Sequence, residues 1–405
     1  MAENLKWLEG GTITSPQGFL AGATYSGIRT YTADKLDLGI VCSELPCTVA
    51  GSFTTNRIKS PSVVLSQQRV SSGHAQAIVA NSGIANACVG EQGLKDAREM
   101  AALAARHLGI PPELVLPCST GLIGVELPIA LIRGGIGKIQ LSREEGHALA
   151  RAIMTTDTHP KEVAVSFQVK EKTYTLGGIA KGSGMIHPNM ATMLAFLATD
   201  APVERAFLQA TLSQAVDSSF NMISVDRDTS TNDSVILLAN GAAGGDAIAP
   251  GTPGEEVFRH ALKEVCTALA KEIARDGEGA TKLIQVTVEG ALTEGDARAA
   301  ARSVVSSMLV KCAVHGSDPN WGRIIVALGC SGAQVDEGRV ALYINEVCIM
   351  EEGRPIPFFK DAVVVTMQGP ENSFRLNLNL GEASATAWGC DLSEEYVTFN
   401  SAYTT

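Results

Sequence analysis

The segment that ends in Ala191 and Thr192 carries the residue types of a self-cleaving nucleophile. Residues 181–200 read KGSGMIHPNMATMLAFLATD, so two glycines and a proline precede a small residue, a threonine and an apolar run. The Thr192 hydroxyl could attack the Ala191 carbonyl carbon, and an N→O acyl shift with hydrolysis would leave Thr192 as a new N-terminus. Its α-amino group, with an ordinary pKa of about 7.7–8.0, could then be the general base for its own hydroxyl. Taken alone, the segment is more typical of a loop that enters a buried strand.

Other catalytic and ligand-binding motifs fail at single positions. GGIGKIQ at 134–140 has Ile139 where a phosphate-binding loop needs Ser or Thr. GCSGA at 329–333 lacks the last glycine of a hydrolase elbow. The histidines are dispersed without metal-ligand spacing, and only His187 lies within the segment above. The polar run DRDTSTND at 226–233 could suggest a metal site, but it is more typical of a loop before a strand. We therefore predict no metal.

Composition excludes several classes of protein. The 405 residues carry a net charge of −11 and only 5% aromatic residues, which disfavours nucleic-acid binding. No apolar run approaches the roughly 18 residues that span a membrane, and the N-terminus does not resemble a signal peptide. Nine scattered cysteines without a C-x-x-C pair indicate reduced thiols. We expect a cytoplasmic protein.

The elements that must position these residues are mixed helices and strands. Apolar periodicity predicts helices at 94–108, 203–216, 255–275 and about 296–313, with Asp200 and Pro202 opening the second. Alternating or β-branched runs predict strands at 283–289, 323–328, 340–349, 362–367 and 374–380, besides the run after Thr192. The mixture of helices and strands predicts an α/β fold with α+β layering, and the change in pattern near residue 280 predicts a domain boundary there. We expect a large α/β region at 1–280 and a smaller α+β region at 281–405.

Several ordered segments together resemble the ornithine acetyltransferase family, also called bifunctional glutamate N-acetyltransferases, of arginine biosynthesis. The most specific is AKGSGMIHPNMATMLAF at 180–196, and the likeness covers essentially the whole chain. Further matches are VANSGIANACVG at 79–90, PCSTGLIG at 117–124, IMTTDTHPK at 153–161, DRDTSTNDS at 226–234, DGEGATKL at 276–283, GSDPNWGRI at 316–324 and the tail EEYVTFNSAYTT. The chain departs from the family pattern at Ile84, where Asn is usual, and at Arg227, where Gly is expected. These departures concern local loop details and substrate tuning.

The resemblance implies the roles of nine residues. Cleavage between Ala191 and Thr192 would make Thr192 the nucleophile, and Thr120 and Gly121 would stabilise the oxyanion, which suits a hydroxyl beside a backbone N–H. The implied substrate-binding residues are Thr155, Lys181, Thr192, Glu278, Asn400 and Thr405. A lysine beside the new amine would lower the pKa of that amine and could bind a carboxylate. A glutamate is the natural partner of the substrate's ammonium groups.

The resemblance further implies a fold of the self-cleaving aminopeptidase and ornithine acetyltransferase type, and a ping-pong reaction. Thr192 would take acetyl from N-acetyl-L-ornithine and pass it to L-glutamate, without cofactor, and acetyl-CoA is a further candidate donor. The mature chains, 1–191 and 192–405, would assemble as an α2β2 heterotetramer. Two alternatives stay open: a self-cleaving hydrolase or aminopeptidase that uses the same threonine chemistry, and a non-catalytic binding protein with an intact chain.

Overall fold

The computed structural model describes residues 5–29, 35–187 and 193–402. Two β-sheets, flanked by helices, form the described part of the chain. The strands of the first sheet are β1 (Leu5–Trp7), β2 (Phe19–Thr24), β3 (Leu38–Phe53), β4 (His74–Ile84), β5 (Val115–Leu122), β6 (Lys161–Val169), β7 (Lys172–Lys181), β8 (Leu194–Thr199) and β10 (Ser234–Ala239). Those of the second are β9 (Ile223–Ser224), β11 (Leu283–Ala291), β12 (Ala341–Ile344), β13 (Val347–Glu351), β14 (Arg354–Pro355), β15 (Glu371–Asn377) and β16 (Ala383–Cys390).

The first sheet has its most buried strands at its centre. Its order is β1-β6-β7-β8-β10-β3-β4-β5, and β2 also pairs with β3. β8 and β10 pair in parallel, and every residue of both strands is buried, as expected for apolar strands covered on both faces. β8 pairs on its other side with β7, in a register that sets Leu194 opposite Lys181. The apolar run after Thr192 is therefore a strand, as predicted.

The second sheet is smaller and more exposed. Its order is β14-β13-β12-β15-β11-β16-β9. β15 alternates between buried and partly exposed residues, which fits the predicted alternation of one buried and one solvated face.

Helices cover both sheets and connect them. They are α1 (Pro61–Val70), α2 (Gly90–Leu108), α3 (Ile129–Ile136), α4 (Gly146–Ala152), α5 (Arg205–Ser218), α6 (Glu255–Arg275), α7 (Glu294–Val305), α8 (Met308–His315), α9 (Trp321–Gly329), α10 (Lys360–Met367) and α11 (Glu394–Ala402). α6 packs against β6 and β7 of the first sheet and also against β16 of the second. The largest of three apolar clusters among the described residues therefore runs from the first sheet through α5 and α6 to the second sheet.

The mixed α/β fold class is confirmed, as are most of the long elements. α2 contains the predicted helix at 94–108, α6 has the predicted bounds 255–275, and β11 contains the strand at 283–289. α5 lies within two residues of its predicted bounds, but the residue that caps it is Glu204, whose carboxylate accepts hydrogen bonds from two backbone N–H groups. The domain boundary near residue 280 stays a prediction.

Two predicted strands were wrong. The runs at 323–328 and 362–367 lie in helices α9 and α10. In α9 the buried residues are Ile324, Ala327 and Leu328, so burial recurs every three to four residues, although the β-branched composition suggests a strand. In α10 the buried residues are likewise four apart. The helix predicted at 296–313 is two helices, α7 and α8, because Ser306 ends one and Ser307 caps the next.

No helix of the described residues combines the length and the apolar character that a membrane span requires.

Candidate active site

Six of the nine predicted site residues line one pocket of about 130 Å³. They are Thr120, Gly121, Thr155, Lys181, Glu278 and Asn400. The other three, Ala191, Thr192 and Thr405, lie outside the described residues. Residues more than 250 positions apart in the sequence therefore come together, which neither spacing nor periodicity could indicate.

The end of β5 brings Thr120 and Gly121 to the pocket. β5 runs parallel to β4, and Gly121 lies opposite Gly83. Gly121 has a φ of +128°, and a Cβ at this position would lie 2.3 Å from the Gly83 carbonyl carbon. Only glycine satisfies both the conformation and the close approach of the two backbones. The CSTG sequence therefore fixes the position of a backbone N–H beside the Thr120 hydroxyl.

The buried ammonium group of Lys181 contacts the Thr120 hydroxyl. Lys181 ends β7, and its Nζ donates a hydrogen bond of 3.2 Å to Thr120 Oγ1. Burial lowers the pKa of Lys181, and the nearby carboxylate of Asp157 opposes part of that shift. A hydroxyl that accepts from a lysine keeps its own proton for another acceptor. Thr120 is therefore prepared to donate a hydrogen bond into the pocket.

Another part of the pocket lining is acidic and includes Glu278. The Glu278 backbone N–H donates to the Ser183 carbonyl oxygen at 2.9 Å, and the Asn400 side-chain amide donates to Glu278 Oε2 at 2.9 Å. A Cβ on Gly184 would lie 2.4 Å from the Glu278 carboxyl carbon. The glycine of the KGSG sequence thus allows the loop after Lys181 to approach this carboxylate.

The polar run at 226–233 forms another part of the wall and was not assigned to the site from the sequence. Asp226, Asp228, Ser230, Thr231 and Asn232 all line the pocket. The Asp226 carboxylate accepts hydrogen bonds from the backbone N–H groups of Met185 and Ile186, so it holds the glycine-containing loop. The signal available in the sequence was the density of short polar side chains directly before a buried strand. Within the described part of the chain, no cluster of His, Cys, Asp and Glu is placed to hold a metal ion.

Tyr396, in α11, is a further pocket residue that sequence reasoning missed. Burial raises its pKa, and the negative charges of Asp226, Glu278 and Asp228 raise it further. Among its described lining residues, the pocket therefore carries three carboxylates, a phenol that stays protonated, and one lysine. Such a lining favours ligands with ammonium groups.

The chain re-enters the described structure at Met193, next to the pocket. The Met193 backbone N–H donates to Asp233 Oδ1 at 2.9 Å, and the next residue, Leu194, pairs with Lys181. Burial raises the pKa of Asp233 well above its ordinary value, and its Oδ2 has no hydrogen-bond partner among the described residues. Asp233 is therefore a buried carboxyl group that fixes the residue following the predicted nucleophile.

His187 lies outside this pocket, in a separate cavity with Arg227 and Arg302. Burial lowers the pKa of His187 to about 4, and both arginines contribute to the shift. Its Nδ1 is 3.1 Å from Ser224 Oγ. His187 is thus neutral near pH 7 and does not line the pocket.

Comparison with known proteins shows the family to which the chain belongs. The ArgJ family matches residues 20–405. The chain belongs to the ArgJ family. The arginine biosynthesis bifunctional protein ArgJ of Symbiobacterium thermophilum is 52% identical over 99% of this chain and 100% of its own length. The protein of the same name from Dehalococcoides mccartyi is 49% identical over 100% of both chains.

A solved ArgJ structure gives a further comparison. The arginine biosynthesis bifunctional protein ArgJ of Bacillus halodurans is 41% identical, with a TM-score of 0.51. The match covers 98% of that chain but only 51% of this one. The resemblance stated from the sequence is therefore confirmed, and the chain is an ArgJ acyltransferase of arginine biosynthesis.

Proposed function

We propose that the chain cleaves itself between Ala191 and Thr192 and then transfers acetyl from N-acetyl-L-ornithine to L-glutamate through Thr192. The observation that carries this proposal is the pocket itself. It combines the Lys181–Thr120 pair with the Glu278–Asn400 pair beside the strand that begins two residues after Thr192. One side suits acyl chemistry, and the other suits an amino-acid substrate with an ammonium group.

In the proposed mechanism, the α-amine of Thr192 accepts the proton of its own hydroxyl, and the oxygen attacks the acetyl carbonyl carbon. The Thr120 hydroxyl and the Gly121 N–H stabilise the oxyanion of the tetrahedral intermediate. The carbon–nitrogen bond breaks, the proton passes to the leaving amine, and ornithine departs. The amine of glutamate then attacks the acetyl-threonine and regenerates the enzyme. All reacting groups belong to the chain and its substrates, so we propose no metal or organic cofactor.

Glu278 and Asn400 would bind the substrate's charged end together with Thr155 and Thr405. Ornithine carries a side-chain ammonium group, and Glu278 is its natural partner because a charge-assisted hydrogen bond is stronger than a neutral one. Lys181 would raise the proportion of neutral α-amine on Thr192 and attract a substrate carboxylate.

The solved ArgJ chain from Bacillus halodurans supports the cleavage. It is matched almost completely but spans only about half of this chain, the size expected for one of two cleaved pieces. We propose that the pieces 1–191 and 192–405 remain together and associate further into an α2β2 heterotetramer. A cytoplasmic location and acetyl-CoA as a second donor belong to the same proposal.

A time course of freshly made protein tests the mechanism. Denaturing gels should show the full-length band replaced by two bands of about half its mass, and acetyl transfer to glutamate should increase in parallel. An assay without glutamate measures release of acetate to water. Release as fast as transfer would identify a hydrolase, and an inactive, persistent full-length band would contradict the proposal. Replacing N-acetylornithine with acetyl-CoA tests the second donor.

A further inference from the structure

A fully buried lysine lies beneath the pocket without lining it. Lys161 begins β6, and its Nζ donates hydrogen bonds to Asp157 Oδ1 at 2.7 Å and to Asp276 Oδ2 at 2.6 Å. The side chains of Lys161 and Asp157 are 0% exposed, and that of Asp276 is 4% exposed. We call Lys161, Asp157 and Asp276 the buried lysine network. None of the three was assigned a role from the sequence.

Asp157 connects the network to two segments of the pocket. Its Oδ1 also accepts a hydrogen bond of 2.7 Å from the backbone N–H of Gly182, which follows Lys181. Its Oδ2 accepts one of 2.9 Å from the N–H of Thr155, which lines the pocket. Burial alone would raise the pKa of Asp157, but Lys161, Lys181 and the hydrogen bond from Gly182 hold it at about 2. Asp157 is therefore an anion that fixes both segments by their backbone.

Asp276 connects the network to the third segment. It lies two residues before Glu278, and it accepts hydrogen bonds from the backbone N–H of Thr158, at 3.0 Å, and from the Thr158 hydroxyl. Lys161 thus joins the segment that ends in Glu278 to the segment that begins at Thr155. These two segments lie more than 100 residues apart in the sequence.

The stability of the fold does not by itself call for these charges. Replacing a buried ion network by apolar groups of similar volume is often neutral or stabilising, because each buried charge loses its hydration. The network differs from an ordinary buried ion pair in where its remaining hydrogen bonds go. They go to backbone N–H groups of the Thr155 segment and of the loop after Lys181, and Asp276 itself belongs to the segment of Glu278. The network thus fixes the relative positions of the three segments, which a set of apolar side chains would not do.

We propose that Lys161 is a positioning residue for the reaction. Its ammonium group, held between Asp157 and Asp276, sets the spacing between Thr155, Lys181 and Glu278 and so fixes the substrate relative to the nucleophile. This inference rests on the proposed function, because the spacing matters for catalysis only if these residues bind the substrate beside Thr192. The alternative interpretation is that the buried lysine network only stabilises the fold.

Three variants separate the two interpretations. Lys161→Met leaves two buried carboxylates without their partner, so loss of fold is a risk. The triple variant Asp157→Asn/Lys161→Met/Asp276→Asn removes all three charges while keeping similar volumes, and Lys161→Arg keeps the charge with a different shape. Lys311→Met is the matched control. Lys311 is also buried, but among the described residues its Nζ donates to the carbonyl oxygen and the Sγ of Cys390 and not to the pocket segments.

Freshly made protein is followed for its self-cleavage half-time, and the cleaved protein is measured for melting temperature and for kcat and KM with N-acetylornithine and glutamate. We expect the triple variant to melt within a few degrees of the wild type, yet to show at least a tenfold higher KM for N-acetylornithine and slower cleavage. Lys161→Arg should recover part of both losses. Lys311→Met should lower the melting temperature without changing KM or the cleavage half-time.

A folded triple variant with wild-type KM and cleavage would overturn the inference, as would an equal rise in KM for Lys311→Met. Failure of the proposed function is recognised separately. It would appear as absence of transfer in the wild type, and the cleavage half-times of the same variants would still report on the network.

Discussion

The two sheets differ in their relation to the proposed cut. The strands of the second sheet, from β9 to β16, all follow residue 192. In the first sheet, β1 to β7 precede the cut, whereas β8 and β10 follow it and lie between β7 and β3. Cleavage would therefore leave the second sheet within one piece and divide the first between two. Because the strands of the second piece lie between strands of the first in one sheet, the pieces cannot separate without breaking that sheet.

The pocket divides in the same way. The first sheet provides Thr120, Gly121 and Lys181, at the ends of β5 and β7. Glu278 lies shortly before β11 of the second sheet, and Asn400 lies in α11, which follows β16 of that sheet. We therefore expect substitutions on the side of the first sheet to reduce the rate of the acyl chemistry, and substitutions on the other side to change substrate binding.

The largest effect is expected for Thr192→Ala. Without the hydroxyl, neither the cleavage nor the acetyl-enzyme can form, so transfer should fall by at least about 10³-fold and the chain should stay at full length. Thr192→Ser is the matched control, because it keeps a hydroxyl at the same position and should still cleave. Denaturing gels and the transfer assay measure both. Transfer retained by the Ala variant would refute the nucleophile.

Next in size is Thr120→Val, which keeps the shape of the side chain but removes its hydroxyl. Loss of one oxyanion donor lowers kcat by about 10²–10³-fold in comparable sites, and KM should change little. Substitution by Ser is the control, since it retains the hydroxyl that accepts from Lys181. A change confined to KM would place Thr120 on the binding side and contradict the division of the pocket.

The sequence predicts the fold well where one periodicity dominates. α6 has an apolar face over six turns, so its period is unambiguous, and its bounds agree with the structure. The short runs at 323–328 and 362–367 are rich in β-branched residues, so composition outweighed spacing in the prediction. In the structure they bury only the residues on one helical face. Tertiary packing thus overrides local propensity in short segments.

The candidate site also depends on tertiary contacts that the local sequence does not reveal. Thr120, Lys181 and Glu278 could be named because they lie in segments that resemble a family, not because their chemistry is visible in the sequence. Asp157, Lys161 and Asp276 lie within or beside those same segments, yet their burial and mutual contacts arise only on folding. Asp233 likewise becomes informative only when Met193 is seen to donate to it. A charged residue reveals neither its partner nor its burial in the sequence.

A smaller effect is expected for Glu278→Gln on the binding side. Hydrogen bonds to charged groups contribute about 1.5–3 kcal/mol, so KM for N-acetylornithine should rise by about 10–100-fold. KM for glutamate should rise less, because glutamate has a carboxylate where ornithine has its side-chain ammonium. Glu256→Gln, on an exposed side chain of α6, is the matched control. Equal rises for both substrates would show that Glu278 does not discriminate between them.

The smallest expected effect is on the stability of the fold in acid. It compares two carboxylates, Asp157 near the first sheet and Asp391 near the second. Asp157 has a pKa of about 2, against an ordinary value of 3.8, and the pKa of Asp391, which accepts from the backbone of Thr281 and Lys282, is also lowered. A lowered pKa stabilises the folded state above the ordinary pKa, and that stabilisation is lost as the pH falls through the folded value. For Asp157 it amounts to about 2 kcal/mol, lost between about pH 4 and pH 2.

Urea unfolding between pH 2 and pH 6, in the uncleaved Thr192→Ala background, measures this loss in a single covalent chain. The free energy of unfolding should differ between the parent and Asp157→Asn by a constant amount above about pH 5 and converge as the pH falls toward 2. Asp391→Asn should converge in the same direction. A difference that stays constant or grows in acid would show that Asp157 is not held as an anion. In that case the negative charge of Asp157 would not be what holds the loop after Lys181, at the end of β7, in place.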